Sequence, residues 1–292
     1  MHMPPASAPR TGGFALLAAL GTGLRLLLIW SGWPDSLLPT DDAYYYFTIA
    51  RNVVTGHGVS FDGLTPTNGF HPLWMVLITP FFAVADVLKT GPWFAVRAAL
   101  SLCALLDLAT GRLLFGTLMR LGRPLGAHWA TALWFLFPTH IMLSLQGLEG
   151  AVSATVIALH AWMVVRLSER SEITAKAGVL LGAVAGLAFL ARTDNGLLVP
   201  LAIVAETAVL VSSGRLSWRR APGFLLACGA MTALVAAPWL AWNLATFKTP
   251  FQVSGTIKML SPMLGGHIEA AVAAYHLPAA VVQLVALGQF LW

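Results

Sequence analysis

Apolar residues fall along this chain in blocks of about 20, the length that carries a helix across the hydrocarbon core of a bilayer. The blocks stand at 14–33, 94–119, 126–145, 148–167, 176–192, 195–213, 222–246 and 270–292, and predict about eight crossings. Every crossing is expected to be helical, because an open sheet would leave backbone N–H and C=O groups unpaired in lipid. One further apolar stretch, HPLWMVLITPFFAVADVL at 71–88, is nearly long enough to cross, yet Pro72 and Pro80 interrupt it.

Composition points the same way. Of 292 residues, 58% are hydrophobic and 10% charged, and the mean hydropathy is +0.77, whereas soluble domains sit at roughly 45–50% apolar. The fold class read from this is an all-α polytopic membrane protein. The two cysteines, Cys103 and Cys228, both lie in apolar runs and give neither a disulfide framework nor a metal spacing. The first apolar block is not a cleavable leader, since Arg25 interrupts it and no small-x-small site follows at IWSGWP.

Charge then orients the chain. The formal charge is +5, but the basic residues sit in short loops and form no stripe, which excludes a nucleic-acid partner. If 71–88 does not cross, Arg10, Arg120, Arg123, Arg166, Arg170, Lys176, Arg215, Arg219 and Arg220 all fall on one side, which the positive-inside rule makes the cytoplasm. The stretch is therefore expected to be a re-entrant, interfacial or juxtamembrane segment on the outer face. Asp41, Asp42, the loop FDGLTPTNGFH, Glu149, Asp194 and NLATFKTPFQVSGTIK then share the extracytoplasmic side. No repeat or soluble domain is evident, so 1–292 reads as a single transmembrane domain whose outer loop, 34–93, carries the acidic motif. The chain stops at Trp292 inside an apolar run, which suggests truncation at the C-terminus.

The acidic motif is the first candidate for chemistry. Asp41 and Asp42 follow the first block directly and open the stretch AYYYFTIARNVV. Acidic groups at the surface of so apolar a chain are costly to keep near lipid, which favours a functional role. Thr40 or Asp41 suits an N-cap and Gly56 a C′ position, so 42–55 is expected to form a short interfacial helix. Tyr46, Ala50 and Val54 would line one face, with Tyr45, Ile49 and Val53 beside them. The aspartates could equally serve only as caps. Arg25 lies within the first block, where a charge costs roughly 2.5 to 3.5 kcal/mol; a buried partner, Asp107 or Glu206, is expected. Glu149 opens a helix, where the dipole favours a carboxylate whatever its role. His57 and His71 could meet a divalent metal with Asp41 or Glu149, although no tight ligand pair supports it. Asn68 with Gly69 reads as a turn or as a sugar-contacting loop.

Taken together, the acidic pair after the first block, DDAYYYFTIA with Asp42 four residues before Tyr46, the HPLW segment, GLEG and ARTD resemble the GT-C superfamily of integral membrane glycosyltransferases. That superfamily includes the protein O-mannosyltransferases, the aminoarabinose transferases of lipid A and the catalytic subunit of oligosaccharyltransferase. The resembling features span most of residues 14–260. The resemblance implies a multi-pass protein of the cell (inner) membrane that builds the cell envelope. Its partners would be membrane lipid, a polyprenyl-phosphate sugar as donor, and a glycan, lipid or protein acceptor. The sugar would be transferred with inversion on the extracytoplasmic face. It also implies Asp42 as the acceptor-activating carboxylate with Asp41 its neighbour; relatives carry Asp-Glu where this chain has Asp-Asp.

The chemistry of such a transfer needs a base for the acceptor proton and positive charge, or a metal, to steady the departing phosphate. A glycosidase would need an acid and a second carboxylate across the bond. Arg192, Lys248 and Lys258 are the candidate phosphate contacts, with snorkelling to headgroups as the plainer reading. Glu149, Asp194, His71 and Asn68 complete the candidate substrate-binding set, and a divalent metal is left open. A polytopic transporter or lipid flippase is the alternative, but such proteins place their sites at the midplane between inverted repeats, whereas here the acids gather at one surface. A scaffold subunit of a membrane complex is a third reading.

Overall fold

The computed structural model describes residues 12–31, 41–170, 172–250 and 252. Among them the chain is helical, with ten helices and no strand: α1 (Gly12–Ser31), α2 (Asp41–Val54), α3 (Pro72–Leu88), α4 (Pro92–Arg120), α5 (Pro124–Leu136), α6 (Pro138–Ser144), α7 (Gly150–Ser168), α8 (Ala175–Ala191), α9 (Asn195–Ser212) and α10 (Ala221–Phe247). Five of these, α1, α4, α7, α9 and α10, are long and apolar enough to cross a membrane. They mark a multi-pass membrane protein. α3 and α8 are apolar but shorter, at 17 residues each. The expected block at 270–292 lies outside the described residues, as does Arg10.

The expected span at 126–145 is divided. Pro138 has no N–H to give the carbonyl of Trp134, so α5 ends at Leu136 and α6 begins at Pro138. Arg25 supplies the missing donors, its Nη2 to the Trp134 carbonyl at 3.3 Å and its Nη1 to that of Phe135 at 2.9 Å. The same guanidinium donates through Nε to Asp107 Oδ2 at 3.0 Å and to Ser144 Oγ at 3.1 Å. Arg25 and Asp107 are both fully buried. Asp107 is thus the partner expected for Arg25, and Glu206 instead faces His160 Nε2 at 3.1 Å. Phe135 fits between α1 and α4 because Gly21 and Gly111 stand opposite it; a Cβ on either would collide with its side chain.

Contacts divide the chain into two compact units, Met1–Thr65 with His71–Trp239, and Pro66–Phe70 with Leu240–Trp292. In the first, α1 runs antiparallel to α4: Phe14 stacks near Phe115, Arg25 meets Asp107, and Trp30 Nε1 donates to Ser101. α4 and α7 run parallel, with Thr110 against Thr155 and Arg120 against Glu169. α8 returns antiparallel to α7, and α9 runs parallel to α7, pairing Asn195 with Ser153 and His160 with Glu206. Arg120, Glu169, Arg170, Glu172, Arg215 and Arg220 thereby gather at one end of this unit through the contacts Arg120–Glu169, Arg215–Arg170 and Arg220–Glu172. The opposite end holds Glu149, Arg192 and the start of α4.

α3 begins beside Glu149, where His71 Nε2 stands 3.5 Å from the carboxylate, and leads through Lys89–Gly91 into the start of α4. Both of its termini are at the Glu149 end. Pro72 does not interrupt this helix but forms its first turn, and Pro80 lies within it, withholding a hydrogen bond only from the carbonyl of the exposed Val76.

In the second unit Asn68 is buried and donates its amide to Asn243 Oδ1 at 2.9 Å. Gln252 donates to the Phe70 carbonyl, and Phe70 packs near Trp242.

Candidate functional site

Four elements of the first unit converge on one carboxylate. Glu149 stands just before α7, its carbonyl accepting the Ser153 N–H at 2.9 Å. Trp74 fixes the preceding turn by donating Nε1 to the Gly147 carbonyl at 2.9 Å. The turn between α8 and α9 is held to α7 by the buried Asn195, which donates to Ser153 Oγ and to the Ala188 carbonyl. This brings Arg192, the residue closing α8, and Asp194, the residue preceding α9, to Glu149.

α2 supplies the fourth group. It spans Asp41–Val54, one residue earlier than expected, and ends in a Schellman turn: Gly56 at φ +85° lets the His57 N–H reach the Asn52 carbonyl and its own N–H the Val53 carbonyl. Asp41 and Asp42 therefore both lie in its first turn, exposed. Thr40 is outside the described residues. The apolar stripe of α2, Ala43, Tyr46, Phe47, Ile49 and Ala50, is buried, Phe47 against Phe82 of α3. One turn after Asp42, the Tyr46 hydroxyl donates to Glu149 Oε2 at 3.1 Å and accepts the His71 backbone N–H at 2.9 Å.

Glu149 Oε1 receives Arg192 Nη1 at 3.1 Å and faces His71 Nε2. His71 Nδ1 accepts the Thr193 N–H at 3.3 Å, which puts the proton of the neutral imidazole on Nε2, toward the carboxylate. Arg192 turns its remaining edge to Asp194, Nε to Oδ1 at 3.2 Å and Nη2 to Oδ2 at 3.0 Å. Two carboxylates thus share one guanidinium.

The electrostatics follow from this arrangement. Burial pushes the Tyr46 phenol well above its ordinary value, and the adjacent Glu149 carboxylate adds to the rise, so the hydroxyl stays a donor. Burial alone would favour neutral Arg192, but hydrogen bonding to Asp194 and the charges of Asp194 and Glu149 outweigh it. Burial likewise opposes ionised Asp194, yet Arg192 holds that carboxyl below its usual range.

Of the candidate substrate-binding residues, the structure brings Glu149, Arg192, Asp194 and His71 into one network. Asn68 and Lys248 belong to the other unit. There Asn68 is committed to Asn243, and Lys248 is exposed, donating to the Ala245 carbonyl. Lys258 lies outside the described residues. His57 contacts Thr55 Oγ1, and among the described residues no three His, Cys, Asp or Glu side chains are placed to hold a metal ion. Tyr46 is the member that the hydrophobic pattern hid: its place on the apolar stripe of α2 reads as interfacial packing, and only the spacing from Asp42 singled it out.

Comparison with known protein families, with curated proteins and with solved structures finds no match to this chain.

Proposed function

We propose that the chain is a membrane glycosyltransferase that moves a sugar from a polyprenyl-phosphate carrier to an acceptor on the extracytoplasmic face, with inversion. The observation that carries this reading is the convergence of Tyr46, His71, Glu149, Arg192 and Asp194 one helical turn from Asp42. A cation fit to meet phosphate and an exposed carboxylate fit to meet an acceptor thereby flank one end of the bundle.

In the proposed reaction Asp42 takes the proton of the acceptor hydroxyl while its oxygen attacks the anomeric carbon from the face opposite the phosphate. The acceptor O–C bond forms, the C–O bond to phosphate breaks, and its electron pair leaves on the phosphate. Arg192 stabilises that developing charge, held in place by the buried Glu149, which Tyr46 and His71 in turn orient.

Sidedness rests on the arginine-rich end of the bundle, read as cytoplasmic. The opposite end then faces outward. Both termini of α3 lie at that end, which supports a non-crossing α3. Among the described residues this reading gives seven crossings, by α1, α4, α5 with α6, α7, α8, α9 and α10, and the apolar block at 270–292, outside them, is the expected eighth. Two ionic pairs within the spans, Arg25 with Asp107 and His160 with Glu206, close on each other between helices, which gives a transport pathway through them no support. The test is product analysis by mass spectrometry, with membranes supplied with defined polyprenyl-phosphate sugars and the Asp42→Asn variant compared with the natural protein.

A further inference from the structure

We infer that Asp194 is an exchangeable carboxylate, holding the phosphate-binding edge of Arg192 until a lipid-linked phosphate displaces it. This rests on the lipid-phosphate donor proposed above and adds how that phosphate is taken up and released.

Glu149 and Asp194 are unlike partners of the guanidinium. Nη1 donates to Glu149 Oε1 at 3.1 Å. The other edge, with its two near-parallel N–H groups, is taken by Asp194, Nε lying 3.2 Å from Oδ1 and 3.3 Å from Oδ2, and Nη2 3.0 Å from Oδ2. A two-pronged guanidinium edge accepts carboxylate or phosphate with the same geometry. Asp194 therefore occupies the place a phosphate would take.

The cost of letting go differs sharply between the two acids. The Glu149 side chain is 9% exposed and also bound to Tyr46, so stripping it of Arg192 would strand a charge in a dry site. The Asp194 side chain is 54% exposed, and water can replace the guanidinium there. An arriving phosphate consequently displaces Asp194 and leaves the Arg192–Glu149 contact intact. Once the sugar has left, Asp194 can reclaim the edge and expel the carrier phosphate.

The test is equilibrium binding of decaprenyl phosphate to the full chain in phosphatidylcholine nanodiscs, with decaprenol and phosphatidic acid as comparison probes. Asp194→Asn and Asp194→Ala should bind decaprenyl phosphate about two- to fivefold more tightly than the natural chain, the factor matching an exposed ion pair worth up to about 1 kcal/mol. Decaprenol binding should not change. Arg192→Gln should weaken phosphate binding and abolish the gain from removing Asp194. Weaker binding by both Asp194 variants, at an unchanged melting temperature, would make Asp194 a positioning residue and overturn the inference. If Arg192→Gln bound normally, the exchange would be wrong while the donor reading stood. If the natural chain bound decaprenyl phosphate no better than decaprenol, both would fall. An equal gain with phosphatidic acid would assign the edge to lipid phosphates at large, and a gain with decaprenyl phosphate alone to the carrier.

Discussion

Tyr46 and Glu149, 103 positions apart, are joined by a hydrogen bond of 3.1 Å, and the same phenolic oxygen accepts the His71 backbone N–H. One hydroxyl therefore ties α2 to the starts of α3 and α7. Its removal should be felt in all three.

Tyr46→Phe leaves the His71 N–H and one Glu149 oxygen short of a partner in a buried place. The expected cost is about 1–3 kcal/mol of stability, the price of an unsatisfied buried polar group, read from the melting temperature in detergent. Loss of under a few tenths would mean that water reaches these groups.

The raised Tyr46 phenol gives a pH signature of definite sign. Its ordinary pKa is about 10 and its folded value is higher, so its contribution to stability is present below that pH. It is lost as pH rises from there toward the folded value. The tyrosinate absorbance of the natural chain minus that of Tyr46→Phe should show no step near pH 10. A step there would place Tyr46 in water.

Arg25→Ala should destabilise by about 3–5 kcal/mol, because it leaves Asp107 as an uncompensated buried charge, and also uncovers the carbonyls left open by Pro138. Arg25→Met with Asp107→Leu should recover much of that loss in the same unfolding assay. No recovery would mean that the backbone contacts of Arg25, rather than its ion pair, hold α5 in place.

How far these features were legible in the sequence varies with how local their cause is. The helices follow from apolar block length, and the pairing of Arg25 follows from the cost of a lone charge in a span, a rule that names the need and leaves the choice between Asp107 and Glu206 to packing. The break at Pro138 was hidden because hydropathy is continuous through it; the missing N–H, not polarity, ends α5. Tyr46 was masked by its apolar stripe, since the stripe shows which face is buried but not what lies beneath it. Asn68 carried a turn signal, and its amide partner Asn243 is 175 positions away, beyond any local pattern.

Sidedness is open to direct test by single cysteines in a background lacking Cys103 and Cys228. Positions 42, 62 and 194, all exposed, should react with an impermeant thiol reagent from outside, and position 218, in the arginine-rich segment, only from the cytoplasm. Labelling of position 194 from the cytoplasmic side alone would mean that α3 crosses and would remove the outward-facing site.

The most direct measurement is sugar transfer by the full-length protein carrying Asp42→Asn, at wild-type membrane levels and with saturating lipid-linked donor. The substitution keeps size and much of the hydrogen bonding but removes the base, so turnover should fall by roughly 10² to 10⁴, while Asp41→Asn should cost less. Near-normal turnover by Asp42→Asn would contradict the account; if Asp41→Asn then abolished transfer, the two roles would be exchanged, and if neither mattered the acidic pair would be structural.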